Sequence, residues 1–253
     1  MHFCSRHSLR LISDEIYALS VFPNPSYPSA TPFTSLLSID PTGIIDPNLL
    51  HVTYGLSKDF GSAGLKVGAL ISRNKDLKKA VHVVLSFSGI SGPSVAIATA
   101  MFEDRAWCRN FISLSRTRVT DAYNHTTSLL KSMGIKHFAG GNAGFFLWID
   151  LSEYLQPDDG TKGAFERECM LAQRFVDGGV FLQPGEEHSV RPGWWRIVFT
   201  MERGVAVVMQ CMRHDSDRAI DGLGSEIGSA FGQAFRRYTW CIVDGWKSCT
   251  TEP

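Results

Sequence analysis

Apolar residues along this chain change their period several times, and each change marks an element. Leu9 to Ile12 form a short apolar run ending in Ser13-Asp14-Glu15, the pattern of a buried strand that delivers polar groups at its carboxyl end. Phe22 to Phe33 holds four prolines among serines and is expected to be a loop. His51 to Tyr54 repeats the short apolar run, glycines punctuate residues 58–66, and Val67 to Ile71 is apolar again, so this stretch reads as strand, tight loop, strand. Asn74 is placed to cap a helix running to about Ser86, and Pro93 suits the first turn of another that reaches Asp104.

From Trp107 to Met133, apolar residues at 107, 111, 114, 119, 122, 123, 129, 130 and 133 keep the spacing of one long amphipathic helix. A strand over Gly144 to Leu151, a helix over about Lys162 to Asp177, a short strand over Val180 to Gln183 and a strand over Trp194 to Thr200 follow. That order, after a helix long enough to join two domains, predicts a separate and smaller α+β unit. Beyond about Asp215 no period is sustained. The expected division is 1–104, 105–214 and an atypical tail over 215–253.

Composition narrows the classes of function. Of 253 residues, 44% are hydrophobic and 20% charged, and 25 basic side chains balance 25 acidic ones. Such a balance provides no positive field to gather nucleic acid or an anionic membrane, which leaves small-molecule chemistry or protein contacts. No apolar run approaches the roughly 20 residues of a membrane span, and the expected location is cytoplasmic. Six cysteines, at 4, 108, 169, 211, 241 and 249, form no C-x-x-C pair and are read as reduced thiols. Cys4/His7 and Cys211/His214 have C-x-x-H spacing but stand at opposite ends of the chain without the rest of a zinc finger, so no metal is expected. There is neither a G-x-G-x-x-G after a strand nor a G-x-S-x-G elbow.

Three clusters remain: Ser13-Asp14-Glu15-Ile16-Tyr17, Gly55-Leu56-Ser57-Lys58-Asp59 with Gly61 to Gly68, and Pro192-Gly193-Trp194-Trp195-Arg196-Ile197. Lys58 follows a strand and precedes a glycine-rich turn, where an amine can project into a cleft. If Trp195 to Phe199 form a strand, Arg196 faces away from Trp195, Ile197 and Phe199. In this order the clusters resemble the class I/II aminotransferases of the fold-type-I pyridoxal-phosphate superfamily, especially the branch similar to 1-aminocyclopropane-1-carboxylate synthase. The resemblance runs from about Phe3 to about Glu202.

That resemblance implies an α/β fold class: a partial fold-type-I large domain followed by a smaller α+β C-terminal domain. It implies pyridoxal 5'-phosphate as cofactor, an α-amino acid as substrate with a keto acid as possible co-substrate, and a homodimer. Lys58 becomes the catalytic amine that forms a Schiff base with the cofactor aldehyde and then moves protons. Asp14 matches the carboxylate that keeps the pyridine nitrogen protonated, and Tyr17 the phenol at the ring oxygen. Arg196 matches the guanidinium that grips the substrate carboxylate with two charge-assisted bonds.

The departures lie at the phosphate. Relatives usually carry Ser or Thr three residues before the lysine and Arg eight after it, where this chain has Gly55 and Lys66. Gly55 forgoes a hydroxyl donor, a loss of about 1.5 to 3 kcal/mol for a bond to a charged group. Lys66 keeps the charge without the bidentate fork, and Ser57 is available as a hydroxyl. Asp14 also stands almost at the start, whereas the family places its counterpart mid-domain after a phosphate-holding helix terminus. The chain therefore reads as the second half of a longer enzyme, with weak cofactor binding and poor solubility expected in isolation. Transamination is the leading activity; a lyase of the cyclopropane-synthase or carbon–sulfur type and a non-catalytic truncated remnant are the alternatives.

Overall fold

The computed structural model describes residues 1–158, 160–177, 182–184 and 192–200. Its contacts divide the chain into two compact units. The first is Met1–Asp121 with Ala139–Phe145, and the second is Ala122–Phe138 with the described residues from Phe146 onward. The division falls inside one helix, and each unit is described by itself.

In the first unit, α1 (His2–Arg6) leads into β1 (Leu11–Asp14), β2 (Leu50–Gly55) and β3 (Gly68–Ser72), which form a sheet in the order β1-β2-β3. β1 and β2 run parallel with Asp14 opposite Thr53, while β2 and β3 are antiparallel with Gly55 opposite Gly68. β1 departs from the buried strand expected of its apolar run, because Ile12 is 63% exposed. Successive side chains point to opposite faces of the sheet, and the face that carries Ile12 and Asp14 is the exposed one while Leu11 and Ser13 are partly covered. The proline-rich stretch 22–33 contains no helix or strand.

Three helices follow: α2 (Lys75–Leu85), α3 (Gly92–Glu103) and α4 (Arg105–Ser132). Asn74 caps α2 as expected, its side chain accepting from Leu77 N–H at 2.9 Å, and Pro93 sits in the first turn of α3. A core cluster of Leu56, Phe60, Ala98 and Cys108 joins the loop after β2 to α3 and α4. Phe60 stacks on Phe111 at 5.6 Å and meets Phe102 edge-on at 5.5 Å. The segment carrying Lys58 is thereby anchored by the apolar residues on either side of it.

The second unit is built on a four-stranded antiparallel sheet in the order β4-β5-β7-β6, from β4 (Lys136–His137), β5 (Phe146–Asp150), β6 (Gln183–Pro184) and β7 (Trp194–Val198), with α5 (Ala164–Asp177). The short strand expected over Val180–Gln183 is described only at its end, in β6, since 178–181 lie outside the described residues. Leu130, Ile149, Leu151, Trp195 and Ile197 fill the core, and Phe175 meets Trp195 edge-on at 5.5 Å. Along β7 burial alternates, with Trp195 and Ile197 buried and Arg196 half-buried on the opposite face, as the strand pattern requires. The tail over 215–253 lies outside the described residues.

Candidate active site

The carboxyl ends of two parallel neighbouring strands make the natural floor of a site in an α/β sheet. β1 ends at Asp14, and β2 ends at Gly55, three residues before Lys58. Asp14 is exposed, and its Oδ1 accepts from Ile16 N–H at 3.2 Å, which turns the chain sharply at the strand end. Tyr17 follows in that turn. Its ring lies edge-on to Phe145 at 5.6 Å and backs onto Gly144.

Lys58 meets this turn. Its Nζ is 5.8 Å from the centroid of the Tyr17 ring, so two of the residues singled out by the sequence come together across 41 positions of chain. The loop that bears Lys58 is closed by backbone bonds, Gly61 N–H to Lys58 O at 3.1 Å and Ser62 N–H to Leu56 O at 3.0 Å. Leu56 and Phe60 point into the core while Lys58 is exposed, which aims the amine outward from a fixed base. Ser57 is half-buried beside it.

Lys66 is exposed and closes the short 3-10 turn Ala63–Leu65 at φ 55°, an uncommon left-handed conformation for a side-chain-bearing residue. Gly55 has a local reason to be glycine. A Cβ there would stand 3.1 Å from Ile16 Cδ1 and 3.3 Å from Val67 O, so a side chain at 55 is crowded and these neighbours would have to give by a few tenths of an ångström.

Arg196 belongs to the second unit. It is half-buried on β7 between Trp148 of β5 and Gln183 of β6, with its guanidinium carbon 4.5 Å from the Phe146 ring centroid. The turn that leads into β7 is held by Gly193, whose N–H donates to the buried Glu168 Oε1 at 2.5 Å.

One residue of the motif carries more than its neighbours suggested. Asp59 is buried, and its carboxylate accepts from Leu19 N–H at 2.9 Å, Tyr54 Oη at 3.0 Å and Ser20 Oγ. Burial, then the Asp59 charge and this hydrogen bond, push the Tyr54 phenol well above its ordinary value. The only linear signal was an acid lodged between the core residues Leu56 and Phe60.

The sequence profile described as "Aminotransferase class I and II" matches residues 1–208. The chain belongs to the class I and II aminotransferase family. Among curated relatives, a mouse "Probable inactive 1-aminocyclopropane-1-carboxylate synthase-like protein 2" is 37% identical over 199 residues, covering 78% of this chain and 32% of that protein. A human "1-aminocyclopropane-1-carboxylate synthase-like protein 1" is 36% identical over 200 residues, covering 78% and 37%. The chain thus spans about a third of the length of these relatives. A solved Thermus thermophilus aspartate aminotransferase variant complexed with tryptophan superposes with a TM-score of 0.65 at 18% identity, covering 83% of this chain and 49% of that one. Its likeness establishes the fold, part of a fold-type-I α/β architecture.

Proposed function

We propose that this chain supplies the lysine-bearing part of a pyridoxal-phosphate-dependent aminotransferase acting on an α-amino acid. The observation that carries this reading is the Lys58 amine held 5.8 Å from the Tyr17 ring, beside the strand end that bears Asp14. Pyridoxal 5'-phosphate supplies an aldehyde for an amine and a ring that accepts electrons.

The donor set fits the ring end of that cofactor: an exposed amine, a phenol within reach of it, and an exposed carboxylate at the adjoining strand end. Lys58 would bind the aldehyde and hold or return a proton at Nζ, Asp14 would face the ring nitrogen, and Tyr17 Oη the ring oxygen. Ser57 and Lys66 would hold the phosphate. Because Gly55 brings no hydroxyl, affinity is expected to be roughly ten- to a hundredfold below that of a cup with the hydroxyl. Arg196, from the second unit, would hold the α-carboxylate through its planar fork. A homodimer and a cytoplasmic setting belong to the same reading; no helix among the described residues is long and apolar enough to cross a membrane.

Elimination in place of amino transfer is favoured by the relatives, whose names are those of cyclopropane-carboxylate-synthase-like proteins. A chain without catalysis is favoured by the altered phosphate contacts and by the mouse relative named probable inactive. The test is borohydride reduction of the full chain mixed with pyridoxal 5'-phosphate, followed by peptide mass analysis. The expected result is a pyridoxyl adduct on Lys58 that is absent from Lys58→Arg. No adduct, or label spread evenly over exposed lysines, would refute the reading. With an adduct in hand, adding an amino acid and a 2-oxo acid separates amino transfer from elimination.

A further inference from the structure

We propose that Asp59 is a positioning residue, whose buried carboxylate fastens the turn carrying Tyr17 to the loop carrying Lys58 and so sets where the Lys58 amine stands against the phenol ring. Its consequence for activity rests on the role of Lys58 proposed above; its consequence for geometry does not.

The carboxylate is 4% exposed and receives donors from two separate parts of the chain. Oδ2 takes Leu19 N–H and Tyr54 Oη, and Oδ1 takes Ser20 Oγ, so donors 40 and 39 residues upstream close on the residue next to Lys58. Ser20 N–H in turn donates to the carbonyl of Tyr17 at 3.0 Å, which makes the position of Ser20 the position of Tyr17. The far side of the turn is braced as well: Arg116 Nε donates to Leu19 O at 2.9 Å, and Gly144 N–H donates to Ser20 O at 3.1 Å. Asp59 makes no ion pair among the described residues. A buried carboxylate carried by three neutral donors is held where it is by their directions, and it holds them in return.

The three donors also explain the residue type. An asparagine has one acceptor oxygen; facing Leu19 N–H and Tyr54 Oη with it leaves its amide toward Ser20, whose hydroxyl can rotate to accept. Alanine loses all three bonds. The order of retention is therefore aspartate, then asparagine, then alanine.

The test uses the full chain with its lysines reductively methylated with carbon-13, the Lys58 resonance being identified by its loss in Lys58→Arg. Tyr17→Leu measures how far the Tyr17 ring displaces that resonance. Asp59→Asn should keep most of the displacement and Asp59→Ala should abolish it while the chain still melts cooperatively. In separate samples with unmethylated lysines, the rate of pyridoxyl-adduct formation on Lys58 should fall about ten- to a hundredfold in Asp59→Ala. If Asp59→Ala does not fold, Ser20→Ala removes a single donor and should reduce the displacement. A wild-type Lys58 resonance in folded Asp59→Ala, or in Ser20→Ala where that substitutes for it, would overturn the proposal, as would a wild-type resonance unaffected by Tyr17→Leu. A wild-type chain that shows the Tyr17-dependent displacement when methylated but gives no adduct when unmethylated refutes the proposed activity and leaves the placement by Asp59 standing.

Discussion

Gly193 should be the least replaceable residue in the turn that presents Arg196, and the cost of Gly193→Ala can be worked from its surroundings. Its φ is +89°, which a residue with a Cβ occupies at about 1 to 3 kcal/mol. The new Cβ would lie 2.6 Å from Ser152 Cα, 2.7 Å from Ser152 Cβ and 2.9 Å from Ser152 N, and the Cα and N are backbone atoms that cannot rotate away. Relieving the overlap separates the turn from residue 152 and strains two bonds, Gly193 N–H to Glu168 Oε1 at 2.5 Å and Leu151 N–H to Gly193 O at 2.7 Å. A weakened bond to a buried carboxylate adds about 1.5 to 3 kcal/mol. The sum, about 2.5 to 6 kcal/mol, is a large share of the roughly 5 to 15 kcal/mol that typically holds a domain together. Urea unfolding followed by tryptophan fluorescence measures it, since Trp194 and Trp195 adjoin the substitution. Gly64→Ala is the control, because a Cβ there meets nothing within 4 Å. If Gly193→Ala lost no more stability than Gly64→Ala, the account of this turn would be wrong.

Two further outcomes follow from individual contacts. Gly55→Ser alone should gain little cofactor affinity, because Ile16 Cδ1 stands 3.1 Å from the new Cβ, whereas Gly55→Ser with Ile16→Val should tighten binding about tenfold or more; equal affinities for the single and double variants, by fluorescence titration, would contradict the crowding. His137 is held below its ordinary 6.5 by burial, which outweighs a bond with the backbone of Ile135 acting the other way. Between the folded and unfolded values the unfolded chain binds more protons, so this contribution is full above about 6.5 and is lost as pH falls through the folded value. Urea midpoints should therefore fall between about pH 7.5 and about pH 5, and less steeply in His137→Gln; identical slopes in the two proteins would refute it.

What the linear pattern revealed and what it hid divide along physical lines. α2 and α4 were legible because a cap and a sustained apolar period are properties of neighbouring residues, visible in Asn74 and in the run from Trp107 to Met133. α1 was not, being five residues without a side-chain cap, and β4 is two residues long, too short for alternation to register. The exposure of Ile12 was misjudged because an apolar run does not say which face of the strand is covered. Lys58 and Tyr17 could be singled out by their flanks, but the 5.8 Å between amine and ring is a tertiary fact. So is the need for glycine at 193, which comes from Ser152, 41 positions away.

The two ends of the candidate cofactor site are held by different forces, and this separates affinity from reactivity. Lys58 is aimed by Leu56 and Phe60 in the core and, through Asp59, by the turn that carries Tyr17. At the proposed phosphate end stand Gly55, crowded by Ile16 Cδ1 and Val67 O, and Lys66, exposed in a left-handed turn. Losing a hydroxyl or a bidentate fork at the phosphate end lowers occupancy, yet it leaves untouched the bonds that place the amine. Weak binding by this chain would therefore say little about whether its lysine is poised. Saturating the chain with cofactor and comparing the maximal rate of Lys58 adduct formation with the concentration for half-maximal rate resolves the two. A high half-maximal concentration with a fast limiting rate is the signature of an intact amine over a poor phosphate cup, and a slow limiting rate at saturation means the amine itself is misplaced.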